Sequence, residues 1–358
     1  MFPASSARTN VRTTPARRHA LAISFAMVHL CRASARSPQA FATRNSLPRH
    51  RVTRIAPTDT EFEALEGLAR TLTASGWYRV VRRFEPRPRY AEDDPAVRKR
   101  TALYVDVETT GLDRASDAIL EFAAVPFQYG VDDGRIYEVG EGISFLEDPE
   151  RPIPDSISEL TGITDEMVRG KRIDEARVAA LLADASLVLA HNASFDRPFI
   201  ERRLPGFAAK PWACSCKEVP WREHGCSGTK LEYILLTMAG EFFDAHRAID
   251  DCRVGIHVLA SRGPTGSLPF AQLLESARRP TLRVWAVASP FGCKDRLKAT
   301  GYRWNDGNDG RPRAWYTDVS ESDLEREREW LDENVYAGSS ESCVVERLTA
   351  FERYSVRG

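Results

Sequence analysis

The segment Ala102-Leu103-Tyr104-Val105-Asp106-Val107-Glu108 constrains this chain more than any other, because an apolar strand pattern ends in two carboxylates. Side chains alternate across a strand, so Asp106 and Glu108, two apart, point to the same face. Two like charges on one face of a buried strand are costly unless a cation lies between them. The pair therefore predicts either a solvated strand edge or a site for a hard divalent ion, Mg²⁺ or Mn²⁺, which favours oxygen ligands. The apolar residues on both sides of the strand predict a sheet covered on both faces. Thr109-Thr110-Gly111 follows at once, and the glycine permits a tight turn whose amides can approach a ligand.

The rest of the chain is consistent with such a sheet. Further strand patterns run from Ile119 to Phe127 and from Arg135 to Phe145, and a short buried strand covers Leu187–Ala190. Helical periodicity covers 175–183, 195–203, 231–238 and 248–260. Three strands followed by alternating helices and strands describe an α/β fold, a mixed sheet flanked by helices. Beyond Pro264, residues 263–280 read as a linker with one helix, Phe270–Ala277. Residues 281–338 read as a small α+β C-terminal domain, and 339–358 as a tail. At the other end, 59–97 read as a small helical preface with a proline-rich linker, and 98–262 as the main domain.

Charge is distributed unevenly. The 358-residue chain carries a formal net charge of −1, yet residues 1–58 hold ten Arg and no acid. The remaining 300 residues therefore carry 40 basic and 51 acidic side chains, a formal −11. Such a body cannot hold a nucleic-acid backbone by bulk charge, so that function requires metal ions or local basic patches. Residues 1–58 read as a disordered basic arm or a targeting segment. No apolar run is long enough to span a bilayer, so no membrane partner is expected. Seven scattered cysteines read as reduced thiols, which predicts a cytoplasmic setting. Cys214, Cys216, His224 and Cys226 have no common zinc-site spacing.

Two further segments place acids at helix starts. In His191-Asn192-Ala193-Ser194-Phe195-Asp196, Asn192 or Ser194 suits an N-cap, and Asp196 alone is explained by the helix dipole. In His246-Arg247-Ala248-Ile249-Asp250-Asp251, a histidine beside acids can be a plain surface cap. Spacing alone does not separate Asp250 from Asp251, which differ by about 100° around a helix.

Taken together, the patterns D-x-E-T-T-G-L, H-N-x-x-F-D and H-x-x-x-x-D resemble the three exonuclease motifs of the DEDDh family. The similarity is to the proofreading (epsilon) subunit of bacterial DNA polymerase III and its free-standing relatives, and it spans residues 101–262. The resemblance implies a ribonuclease H-like fold and a metal-dependent 3′–5′ exonuclease. By it, Asp106, Glu108, Asp196 and Asp251 hold two Mg²⁺ (or Mn²⁺), His246 is the general base, and the motif interval selects Asp251 over Asp250. It further implies that Thr109, Thr110, Gly111, Leu112, Leu160, Thr161, Asn192 and Phe195 contact the terminal nucleotide. Single-stranded DNA 3′ ends are the expected substrate and RNA the alternative, because these motifs do not read a 2′-hydroxyl. A DNA polymerase or another replication or repair protein is an expected partner. A non-catalytic nucleic-acid-binding module of the same fold would not need His246 and four carboxylates together.

Two expectations concern the C-terminal region. Residues 101–262 hold every candidate catalytic residue, so truncation near Arg262 is expected to leave a competent site. Residues 294–313 hold six basic and three acidic side chains interleaved with Tyr302 and Trp304, with Trp315 close by. That composition suits either a nucleic-acid platform or an aromatic core, and a core role is favoured for the tryptophans.

Overall fold

The computed structural model describes residues 58–264, 266–308, 310–338 and 343–356. The basic arm read over residues 1–58 thus lies, but for its last residue, outside the described residues.

In chain order, the lead-in consists of α1 (Asp59–Ala74) and the short β1 (Arg82–Arg83). The main sheet begins with β2 (Lys99–Thr109), β3 (Ile119–Gly130), β4 (Ile136–Val139) and β5 (Ile143–Leu146). Three helices follow, α2 (Asp155–Thr161), α3 (Asp165–Val168) and α4 (Glu175–Asp184), and then β6 (Ala185–Ala190). Next come α5 (Ala193–Arg203), β7 (Trp212–Cys214), α6 (Leu231–Ala239), the two-residue β8 (Glu241–Phe242), α7 (Ala248–Ala260) and α8 (Pro269–Arg278). The last part contains β9 (Thr281–Ala286), α9 (Lys294–Ala299), β10 (Arg303–Trp304), β11 (Trp315–Val319), α10 (Leu324–Leu331) and β12 (Cys343–Leu348).

The main sheet has the order β4-β3-β2-β6-β7, with β5 also paired to β3. β3 is antiparallel to β2, whereas β6 and β7 are parallel to their neighbours, which gives the ribonuclease H-like mixed sheet. Alternation along β2 builds two cores. Ala102 and Tyr104 pack with residues of α6, α7 and α8, while Leu103, Val105 and Val107 pack with residues of α4 and α5. Asp106 and Glu108 belong by parity to the α7 face. Gly255 sets how closely α7 approaches: a Cβ there would lie 2.2 Å from the Tyr104 ring. Asp251 sits one turn before Gly255 and Asp106 two residues after Tyr104, so this close approach brings the two carboxylates together.

The segment read as a linker contributes to the core instead. Phe270, Leu273 and Leu274 of α8 pack in the same cluster as Tyr104 and Phe127. The segment read as a tail also differs. β12 pairs antiparallel with β9, completing a sheet of order β10-β11-β9-β12. This small sheet and its helices enclose Val284, Ala286, Leu297, Tyr302 and Leu331. Tyr302 is therefore core, and Trp315 packs against the same cluster, as expected, but Trp304 is 49% exposed at the sheet edge, contrary to the core role expected for it.

After β12 the chain returns to the main domain. Arg197 of α5 has no exposed surface. Its guanidinium donates to the carbonyl oxygens of Phe351 (2.6 Å), Arg353 (2.5 Å) and Ala350 (3.3 Å), and to Glu201 Oε1 (2.6 Å). Ser355 donates to Glu201 Oε2 (2.7 Å), and Arg353 donates to Glu218 (3.0 Å) and to the Ala277 and Arg279 carbonyls. Residues 349–355 thus satisfy a buried charge in the main domain. Truncation near Arg262 would remove these carbonyl acceptors while keeping the Arg197–Glu201 ion pair, a change that works against the self-sufficiency expected of 101–262.

Candidate active site

Asp106 and Glu108 lie at the C-terminal end of β2, opposite Ala123 and Glu121 of β3. The register shifts after Glu108, a local irregularity of the kind that re-aims side chains at sites. Oxygen atoms of Asp106, Glu108 and Asp251 all lie within 4.8 Å of one another, and each residue keeps a partly exposed face. The structure brings Asp251, not Asp250, into this set. Asp250 faces outward, 3.8 Å from Arg253.

Asp251 also organises the entry to α7. Its Oδ2 accepts the backbone N–H of His246 (3.0 Å) and of Arg247 (3.2 Å). His246 has φ 73°, a left-handed conformation uncommon outside glycine, and its Nδ1 lies 3.9 Å from Glu108 Oε1. Asn192, which precedes α5, is likewise left-handed, at φ 78°. Both residues stand immediately beside acid-bearing helices, where backbone strain commonly accompanies function. Asp196 lies in the first turn of α5 and is 2% exposed. Its carboxylate accepts the Val107 N–H, which ties it to β2, but it is not one of the three acids that converge within 4.8 Å.

The four carboxylates share one electrostatic problem. Burial, reinforced by its acidic neighbours, holds Asp106 well above the usual carboxylate range. Burial and the same neighbours push Glu108 up to about 8 and Asp196 up to about 8. Asp251 is raised by burial to about 7, although the His246 and Arg247 amides work against the rise. Four such groups cannot all ionise together without a compensating cation. The oxygen-only donor set fits a hard divalent ion.

Glu121 is a residue that sequence reasoning missed. It is fully buried, accepts from Arg247 Nε (3.1 Å) and Ser144 Oγ (2.7 Å), and so anchors the residue next to His246. An acid inside the otherwise apolar run Ile119–Val125 was the available signal.

The residues expected around the terminal nucleotide divide into two groups. Leu112 is 82% exposed and Leu160 44% exposed, both on the surface, and Asn192 and Phe195 are also accessible. Thr109, Thr110 and Thr161 are buried and already engaged. Thr109 Oγ1 donates to the Gly111 carbonyl (2.6 Å), Thr110 Oγ1 to Asp117 (3.0 Å) and Thr161 Oγ1 to the Ile157 carbonyl (2.9 Å). Gly111 is required by Asp117, whose carboxylate would lie 2.3 Å from a Cβ at that position. Asp117 thus packs closely against one side of this turn. His191 is likewise structural, with Nδ1 2.9 Å from Ser215 Oγ and Nε2 2.6 Å from the Thr229 carbonyl.

Three carboxylates, two from the end of a central strand and one from α7, thus converge beside a mixed sheet as a group that could hold a metal ion. Residues 103–259 match the RNase_T exonuclease family model. The PolC-type DNA polymerase III of Thermotoga maritima is 32% identical over 193 residues, which is 50% of this chain and 13% of that protein. The corresponding protein of Halalkalibacterium halodurans is 41% identical over 161 residues, 43% of this chain and 11% of that protein. The chain thus spans only about a tenth of the length of these curated relatives. Among solved structures, Exonuclease X in complex with 5′ overhanging duplex DNA matches at 25% identity and a TM-score of 0.34, covering 49% of this chain and 98% of that one. Escherichia coli Exonuclease I with a dA16 oligonucleotide matches at 16% identity and a TM-score of 0.41, covering 71% and 66%.

Among the described residues, no helix is long and apolar enough to cross a membrane.

Proposed function

We propose that this chain is a metal-dependent 3′–5′ exonuclease that removes nucleotides from the 3′ end of single-stranded DNA, in proofreading or repair. The observation that carries this reading is the convergence of Asp106, Glu108 and Asp251 with His246 beside Glu108. Two divalent cations, Mg²⁺ or Mn²⁺, supply when bound the positive charge that a scissile phosphate and its leaving oxygen require. Asp106, Glu108 and Asp251 hold that charge in place, and Asp196 completes the set from α5. His246 accepts a proton from the attacking water at an imidazole nitrogen, as a histidine general base does. Leu112 and Leu160, exposed near the turn and at the end of α2, seat the terminal base with Phe195. Asn192 and the backbone of Thr109–Gly111 orient its sugar and phosphate, with the Thr110 and Thr161 side chains supporting from below.

Digestion of matched 5′-labelled single-stranded DNA and RNA, with and without Mg²⁺, tests this reading. Metal-dependent shortening of DNA from its 3′ end is expected. Full activity in excess chelator refutes the metal role, and a preference for RNA refutes the substrate. A polymerase as partner and a cytoplasmic setting belong to the same reading, given the likeness to PolC-type enzymes.

The adjacent acids make a sharp comparison. Asp251→Asn should remove hydrolysis, whereas Asp250→Asn should leave turnover within about twofold, as expected of a surface change away from the chemistry. The reverse outcome would move the third motif by one residue.

A second expectation concerns stability in the absence of metal. Carboxyls with raised pKa keep protons in the native state that the unfolded chain has released. Metal-free stability should therefore fall as pH rises from about 4, the unfolded carboxylate value, through 7 to 8, where Asp251, Glu108 and Asp196 ionise. Mg²⁺ relieves that repulsion, so its addition should raise Tm more at pH 8 than at pH 6. Equal Tm gains in calorimetry at both pH values would count against the carboxylates as the metal site.

A further inference from the structure

A groove of the molecule is lined by none of the four carboxylates. Its lining includes Ser194, two residues before Asp196 on the first turn of α5, and Arg114 on the loop after Leu112, and extends to Tyr316, Asp318 and Val319 of β11 in the C-terminal domain. Its volume is about 930 Å³. Seven basic and four acidic residues line it, a local positive excess on a body whose formal charge is −11. Much of the acid is already neutralised: Asp318 lies between Arg283 (2.7 Å) and Arg303 (2.8 Å), and Arg353 holds Glu218 (3.0 Å). Arg114 is exposed at the end nearer the carboxylates, and exposed Lys217 donates to Ser194 Oγ there (2.8 Å).

The far wall is aromatic. The Tyr316 ring lies between two guanidiniums, 4.6 Å from that of Arg283 and 4.7 Å from that of Arg303. Trp304, the half-exposed tryptophan at the sheet edge, meets Trp315 edge-on at 5.6 Å. Positive groups that track a backbone, next to ring faces on which bases stack, are what sequence-independent binding of single strands uses. Lys294, Lys298 and Arg313, which composition alone grouped with Arg303 and Arg311, do not line the groove.

We propose that this groove binds the part of a single-stranded nucleic acid that lies 5′ of the nucleotide being removed, with Arg114 and Lys217 on its phosphates and Trp304 under a base. The proposal rests on the exonuclease reading for the placement of the 3′ end, and it assigns the C-terminal domain the task of retaining the strand between cuts.

The test is a binding measurement on the full chain in chelator, so that nothing is hydrolysed. The probes are labelled single-stranded DNA of about 20 nucleotides, longer than the usual 4–16-nucleotide site, and one of about three. The wild type should bind the long probe more tightly than the short one. Trp304→Ala should weaken long-probe binding by roughly fivefold to a hundredfold, the cost of one lost base stack, and Trp304→Phe should restore most of it. Arg114→Ala should flatten the slope of log affinity against log salt by about 0.7, one phosphate contact on a single strand. Melting curves of the variants confirm folding, and the Phe variant preserves the ring if the Ala variant fails to fold. Unchanged long-probe affinity and salt slope overturn the groove proposal even if the wild type degrades DNA in Mg²⁺. Loss of length preference in the variants, with no hydrolysis by the wild type, keeps the groove and overturns the exonuclease reading.

Discussion

Asp106→Ala should reduce phosphodiester hydrolysis to background, the largest effect expected of any single substitution in this chain. Asp106 faces Glu108 along β2 and Asp251 across from α7, and Asp196 also raises its pKa, so it is the carboxylate common to the whole cluster. Removing it takes away the oxygen that every arrangement of cations at this site would share. The same substitution removes one of several mutually repelling buried charges, so the metal-free protein should unfold at an equal or higher temperature. Loss of hydrolysis with stability retained separates a chemical defect from a folding defect. Hydrolysis at the wild-type rate would refute the two-cation reading.

His246→Ala should lower turnover by about 10²–10⁴-fold, the usual range for loss of a general base, with little change in substrate affinity. The left-handed backbone at this position complicates the alanine variant, since φ is 73°. His246→Asn keeps a residue that tolerates this conformation and cannot serve as the base. Both variants should be equally slow. A fast Asn variant beside a slow Ala variant would mean that His246 shapes the entry to α7 and does not take a proton.

Much of the fold and of the site was legible in the sequence wherever periodicity was strong. The pattern at 248–260 gives α7 with both ends correct, because its apolar residues repeat against one face of the sheet. The parity of Asp106 and Glu108 gives the face of β2 on which the acids meet. β7 was not legible, since three residues carry too little alternation to distinguish a strand from a loop. β12 was missed for another reason. Its residues are only partly covered, with Val344 half exposed, so its pattern resembles a solvated tail. Glu121 looked like any acid in a strand, and only its tertiary partner Arg247 reveals its role. That Asp117 folds back onto Gly111 was not legible either, because no periodicity marks a contact made within a turn.

Arg197 is the residue immediately after Asp196, and residues near the end of the chain supply most of its hydrogen-bond acceptors. While the chain emerges during synthesis, all four candidate carboxylates are made at least a hundred positions before Phe351 and Arg353. Until those two residues arrive, the helix that carries Asp196 holds a buried cation that keeps its Glu201 ion pair but lacks those carbonyl acceptors. The support of α5 is thereby tied to residues made more than 150 positions later. A nascent chain that stops before Phe351 would carry all four candidate carboxylates and still lack the backbone acceptors that hold the helix of Asp196 in register.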